Sequence, residues 1–236
     1  MQFHPPLVRA RLVRRYKRFL ADALLEDGRA VTAHCPNTGS MMGVCEPGST
    51  VWLSPKQGGK LDWGWELIED ISHGAPTLVG INPMNANRLA EEAIRAGRVP
   101  ELAGYSVLKR EVRYGRENSR IDLLAEAPGR PTCYIEIKNV HLRRKSGLAE
   151  FPDSVTARGT RHLRELAQMV QEGHRAVMFF LVQRQDCDRF APAADIDPAY
   201  YAALTLARSQ GVETICYGCR ISPAEIAVAR PLALDL

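Results

Sequence analysis

The 236 residues carry 31 lysines and arginines against 27 acidic residues, a formal charge of +4, with 45% apolar and 25% charged content. That is ordinary for a globular protein and long enough for one large domain or two small ones around a real core. The longest strongly apolar run, residues 176–182, is too short to span a bilayer, and no apolar stretch follows the basic residues between Arg9 and Arg18. No membrane partner and no secretory signal are therefore expected, and the cytoplasm is the expected compartment.

Residues 1–82 read as short strands. Segments 7–13 and 19–25 alternate apolar and polar residues, and Asp27-Gly28 is a tight-turn signal before a third strand at 29–35. Strands at 49–54, 65–70 and 77–81 follow, separated by Gly- and Pro-rich turns. Strands at this spacing without a helical pattern predict a small barrel.

Past Pro83 the pattern changes, and a second domain is expected over residues 83–236. Helical spacing over 85–96 stops at Gly97. Strands at 105–113, 119–125 and 133–140 come next, then a helix over 154–172 that ends at Gly173. Asp153 or Ser154 is its expected cap. The apolar run 176–182 has the character of a strand buried on both faces. Asp197-Pro198 opens a third helix as cap and first-turn proline, ending near Gly211, with a strand at 212–217 beyond it. This order predicts an α/β layer fold behind an all-β first domain.

The six cysteines are Cys35, Cys45, Cys133, Cys187, Cys216 and Cys219. Cys216-Tyr-Gly-Cys219 has no second pair, and His34-Cys35 with Cys45 gives no four-ligand zinc spacing, so reduced thiols are expected.

Chemistry concentrates in Arg120-Ile-Asp122 and Tyr134-Ile-Glu136-Ile-Lys138, on either side of Pro128-Gly-Arg-Pro131. Residues two apart on a strand share a face, so Glu136 and Lys138 point the same way. A hairpin turn centred on Gly129 sets Asp122 directly across from Glu136, with β-carbons about 5 Å apart. Two carboxylates at that separation repel unless a cation lies between them, and Mg²⁺ or Mn²⁺ is the natural candidate. Lys138 could then orient the attacking water of a hydrolysis. The same pairing also describes a solvated checkerboard, with Arg120 opposite Lys138 and ion pairs on the diagonals. Spacing alone leaves both readings open.

The runs Asn118-Ser-Arg-Ile-Asp122, Cys133-Tyr-Ile-Glu-Ile-Lys138, Phe151-Pro-Asp-Ser-Val-Thr-Ala-Arg-Gly159 and His162-Leu-Arg-Glu-Leu166 resemble the sugar fermentation stimulation protein A family. So do Arg15-Tyr-Lys-Arg-Phe19, Ala33-His-Cys-Pro-Asn-Thr-Gly39 and Gly173-His-Arg-Ala176. The resemblance implies an OB-fold barrel followed by a restriction-endonuclease-like, PD-(D/E)xK domain. It also implies DNA binding with little sequence preference and a role in regulating maltose and related sugar use. It makes Asp122 the motif aspartate and Glu136 and Lys138 the E-x-K pair. Glu92, or its neighbour Glu91, is the helical acid expected to complete the metal shell, and Arg158 and His162 are expected beside the site.

Basic residues crowd the first strand: Arg9, Arg11, Arg14, Arg15, Lys17 and Arg18, around Tyr16 and Phe19. Cations track phosphates and an aromatic can stack on an unpaired base, so Arg11, Arg14, Arg15, Tyr16, Lys17 and Arg18 are candidate contacts to DNA, including single strands. Equally, Tyr16 and Phe19 could be core and the charges could keep an edge strand soluble. Arg143, Arg144 and Lys145 form a second basic cluster. Three functions stand at this stage: a DNA-binding regulator, a metal-dependent DNA nuclease, and a factor acting on RNA. No helix-turn-helix is legible.

Overall fold

The computed structural model describes residues 1–72, 74–117 and 119–236. Asn118, which opens the aspartate motif, lies outside the described residues.

Six strands build the first unit: β1 (Val8–Tyr16), β2 (Leu20–Leu25), β3 (Ala30–His34), β4 (Thr50–Pro55), β5 (Trp63–Asp70) and β6 (Thr77–Gly80). The sheet order is β3-β2-β1-β4-β5-β6, and a parallel pairing of β3 with β5 closes the first five into an OB barrel. Alternate residues Ala10, Leu12, Ala21, Ala23 and Leu25 fill its interior with Val51, Leu53 and Trp65. Alternation in β1 breaks where the pairing with β2 slips between Leu12 and Arg14, which leaves Val13 half exposed and re-aims the basic residues beyond it.

The second unit begins with α1 (Met84–Arg95), whose Ala86, Leu89, Ala90, Ala93 and Ile94 make one buried stripe. Gly97, at φ +68, ends it with Arg98 N–H donating to the Ala93 carbonyl. Strands β7 (Val107–Tyr114), β8 (Ser119–Glu126) and β9 (Cys133–Val140) follow, then the short β10 (Leu142–Lys145) and β11 (Gly147–Phe151). Next come α2 (Ala157–Gln171), β12 (Arg175–Val182), β13 (Cys187–Pro192), α3 (Pro198–Ser209), β14 (Glu213–Ile221), β15 (Ile226–Pro231) and β16 (Ala233–Leu234). The main sheet runs β15-β14-β12-β9-β8-β7, with β12 parallel to both β9 and β14. A smaller sheet runs β10-β11-β13-β16. β12 is buried along almost its whole length, between a core shared with α1 and one shared with α2 and α3.

The two units share packing. Trp52 and Leu67 of the barrel belong to the apolar cluster of α1. Arg184, fully buried, reaches Asp70 at 2.8 Å, and Gly80 N–H donates to the Gln183 carbonyl. The chain's first residues lie on the second unit, where Phe3 N–H donates to the Ala224 carbonyl.

Thr156, rather than Asp153 or Ser154, caps α2, its hydroxyl accepting from Gly159 N–H at 3.0 Å. Asp153 is taken up by the barrel instead.

A candidate metal and nucleic-acid cleft

The hairpin register is the expected one: Leu123 faces Ile135, Leu124 faces Tyr134 and Ala125 faces Cys133. Pairing stops there, one step before Asp122 and Glu136. On the other side of β8, the ladder with β7 also skips a pair, Glu111 opposite Asp122, and Glu111 takes a left-handed φ of +53. The two faces of the sheet exchange at this point. Leu108 and Leu123 pack toward α1, whereas Val112, Tyr114 and Ile121 pack toward α2. Asp122 thus stands where both neighbouring strands let go of its own. Its carboxylate takes the backbone role the ladder has vacated: Oδ2 accepts Ile137 N–H at 2.7 Å and Oδ1 accepts the Asn87 amide of α1 at 2.9 Å.

Glu136 is 2% exposed. Its Oε1 takes both the Lys138 ammonium, at 2.6 Å, and the His162 ring from α2, while Oε2 is buried without a partner. Burial alone would raise the Glu136 carboxyl, but Lys138 and His162 together hold it below the ordinary carboxylate range. Asp122 goes the other way. Burial and the neighbouring Glu136 charge push it up to about 6, against the weaker pull of Lys138 and its hydrogen bonds. A carboxylate with an orphaned oxygen beside one that resists ionising is a site short of positive charge, and these donors fit a divalent ion. Among the described residues no third His, Cys, Asp or Glu joins them at metal-binding distance. A carboxylate pair completed by water and phosphate oxygens suits Mg²⁺ or Mn²⁺ and does not suit zinc.

Both carboxylates and Lys138 line a cleft of about 560 Å³ walled by Asn37 from the barrel, Met84 and Asn87 from α1, Arg110 and Glu111 from β7, and His141, Asp153 and Arg158. The solvated checkerboard is not found among the described residues: Glu136 is buried, Lys138 pairs along its own strand with Glu136, and neither Arg120–Glu136 nor Asp122–Lys138 forms an ion pair.

The expected helical acid does not reach the site. Glu92 is paired with the Met1 amino group at 2.9 Å and Arg88 at 2.8 Å, and Glu91 with Arg95 and Arg110. Asn87 meets Asp122 in their place. Arg158 donates to His162 at 3.3 Å and His162 is buried against Glu136.

The basic residues are largely committed. Arg14 pairs with Asp22 at 2.8 Å and lies over the Tyr16 ring, whose hydroxyl also donates to Asp22. Arg14 thus covers one face of the Tyr16 ring, whereas Phe19 is 46% exposed and is not core. Arg15 donates to the carbonyls of Arg18, Asn37 and Gly39, and Arg18 to that of Thr38. Arg11 and Lys17 are exposed with no side-chain partner among the described residues. Arg143 pairs with Asp186, and Arg144 with Glu150 and Asp195, leaving Lys145 the open member of that cluster.

A family model for the SfsA N-terminal OB domain matches residues 13–81, and one for the sugar fermentation stimulation protein RE domain matches residues 84–225. The chain belongs to the sugar fermentation stimulation protein family. A homolog from Rhodospirillum centenum is 57% identical over 237 residues, covering all of both chains. One from Paramagnetospirillum magneticum is 55% identical over 238 residues, covering all of this chain and 98% of that one. The solved structure of Pyrococcus furiosus SfsA in complex with Ca²⁺ matches with a TM-score of 0.90 at 29% identity, over 100% of this chain and 98% of that one. The fold is that of the family, an OB barrel joined to a restriction-endonuclease-like domain. Among the described residues, no helix is long and apolar enough to cross a membrane.

Proposed function

We propose that this chain is a DNA-binding protein of the cytoplasm whose cleft hydrolyses phosphodiesters with Mg²⁺ or Mn²⁺. Labour divides near Asn82-Pro83, residues 1–82 contributing Asn37 to the cleft and 83–236 supplying its chemistry. The observation that carries the reading is the unpartnered, buried Oε2 of Glu136 next to an Asp122 carboxyl raised to about 6. Asp122 and Glu136 would hold the ion, which supplies charge to polarise a bound phosphate. Lys138, fixed against Glu136 at 2.6 Å, is set to orient the attacking water. His162 holds Glu136 from behind, so that Oε1 is occupied and Oε2 is left for the ion. The Ca²⁺ in the Pyrococcus furiosus SfsA structure supports a divalent ion in this family. Nonspecific DNA binding in the regulation of sugar (maltose) use is supported by the family resemblance.

The test is a panel of labelled duplex, single-stranded and flapped DNA with matching RNA, each with and without Mn²⁺ or Mg²⁺. Cleavage that needs the ion and disappears in Asp122→Asn and Lys138→Ala supports the reading. Binding to DNA with no cleavage of any of the four reduces the protein to a binder.

A further inference from the structure

One wall of the cleft holds groups that the carboxylate pair does not use. His141 is 5% exposed, lines the cleft, and neither ring nitrogen makes a hydrogen bond. Native proteins rarely leave a buried imidazole so. Behind it stands Asp153, with Oδ2 at 3.4 Å from His141 Nε2. Asp153 is itself pinned by Met41 N–H at 3.0 Å and by the Ser40 hydroxyl. It is an anion at neutral pH, for although burial opposes ionisation, His141 and these donors hold its carboxyl down to about 2. With Nε2 turned to Asp153, Nδ1 is the remaining ring nitrogen, and in the imidazolium form, which carries a proton on each nitrogen, it donates to an anion in front.

Two further donors border the same cleft. The Asn37 side-chain oxygen is consumed by Gly39 N–H at 2.9 Å, so its amide nitrogen is the free end. The loop that presents it is fixed by Arg15 and Arg18, which take the carbonyls of Asn37, Thr38 and Gly39. Arg158 spends only Nε on His162, and its terminal nitrogens have no partner among the described residues. His141, the Asn37 amide and the Arg158 guanidinium line the same cleft, where the Asp153 carboxylate is already engaged by Met41 N–H and the Ser40 hydroxyl, and donors of these kinds fit an oxyanion with several acceptor oxygens.

We propose that His141, the Asn37 amide and the Arg158 guanidinium form a binding subsite for a second phosphate of the nucleic-acid chain, adjacent to the one held at Asp122 and Glu136. The proposal rests on the phosphodiester reading of the cleft, but it concerns binding and not cleavage. It gives the barrel a role apart from its basic strand, since loop residue Asn37 delivers a contact to the neighbouring domain's site.

The test measures anisotropy of a fluorescein-labelled duplex with Ca²⁺ as the ion, for wild type, His141→Ala, Asn37→Ala and Arg158→Gln. Each variant should bind about tenfold more weakly, the scale of one hydrogen bond to a charged group. The rise in melting temperature with Mn²⁺ should persist in His141→Ala and Asn37→Ala, which reports an intact fold and ion site. A series of duplexes with single methylphosphonates locates the contact: one substitution should weaken wild type and leave His141→Ala unaffected. Wild-type affinity and an unchanged methylphosphonate profile in both His141→Ala and Asn37→Ala overturn the subsite. So does protection by inorganic phosphate that depends on His141 in a protein that binds no DNA, since the ligand is then the free anion. If DNA binds as expected but nothing is cleaved, the nuclease reading fails and the subsite stands. Should His141→Ala not fold, Asn37→Ala decides.

Discussion

Asp122 is tied to two neutral donors and faces a second carboxylate, so its titration reports the site's shortage of positive charge. Its folded pKa of about 6 lies above the ordinary carboxylate value. Such a group favours the folded state while protonated, so its stabilisation is complete below about pH 4 and is lost as pH rises through about 6. The metal-free protein should lose stability across that window, by up to about 3 kcal/mol. Urea melts of wild type and Asp122→Asn check this, the variant giving the flatter profile. A bound ion does the proton's work at higher pH. Above pH about 6, Mn²⁺ should raise the melting temperature, with about 2.7 kcal/mol of stabilisation at a hundredfold excess over Kd. That shift should shrink as the pH falls below 6 and be absent from Asp122→Ala and Glu136→Ala. Calorimetry with and without the ion reads it. At this scale the sequence was informative where geometry is short-range. The two-residue strand period and one turn were enough to bring Asp122 toward Glu136. It could not show that Glu92 turns to Arg88 and Met1 while Asn87, five positions earlier on the same helix, meets Asp122. Neither Asn87 nor Glu111 carries a signal in the sequence. Asn37 and Asp153 did lie within family motifs, but their contacts cross between domains.

The position of α2 decides whether His162 and Arg158 meet the site, and α2 is held at its start by another helix's cap. Asp197 accepts Tyr200 N–H at 2.9 Å to cap α3 and, with its other oxygen, accepts Thr156 N–H at 2.7 Å. It is 2% exposed. Asp197→Ala removes a cap and strands a second backbone donor, which should cost about 2–4 kcal/mol in a urea melt. Cleavage or DNA binding should fall further than stability alone explains, because the α2 start moves with it. Asp197→Asn, which keeps an acceptor for one of the two N–H groups, should recover part of the loss. Equal stability in all three proteins would mean that α2 is held by packing alone. The long elements were legible because their apolar periods are unbroken: α1, β9, β12 and α3 lie within a residue or two of expectation. The strands β10, β11, β13, β15 and β16 were not. Leu-Arg-Arg-Lys in β10 and Cys-Asp-Arg-Phe-Ala-Pro in β13 are short and charged; β10 becomes a strand by pairing with the adjacent β11, and β13 by pairing with the distant β11 and β16.

Across the whole molecule a net charge of +4 says little until the ion pairs are taken out. The basic strand of the barrel and the Arg143–Lys145 run were the clusters visible in the sequence, yet most of their arginines hold carboxylates or loop carbonyls. The hairpin of β7 and β8 is different. Arg113 and Arg120 stand directly opposite one another, on the face away from the α2 core, and Arg116 is exposed in the turn between them. None of the three has an ion-pair partner among the described residues. Like charges opposed in an antiparallel pair cost stability, and a phosphate backbone lying along them would relieve that cost. Arg110 and Glu111, just before Arg113, line the cleft, so a duplex entering the site can run along this hairpin. Affinity for DNA should fall steeply with salt, at a log–log slope of about −0.9 for each phosphate neutralised. Arg113→Gln, Arg116→Gln and Arg120→Gln together should reduce the magnitude of that slope by about 2–3 and weaken unrelated sequences alike. Arg14→Gln with Lys17→Gln should change it by less than one. Salt titrations of the three proteins on two unrelated duplexes decide the matter. A flattened slope in the barrel variant with an unchanged one in the hairpin variant would move the footprint to the barrel. Tight binding of one duplex in the presence of excess random competitor would make the protein sequence-specific.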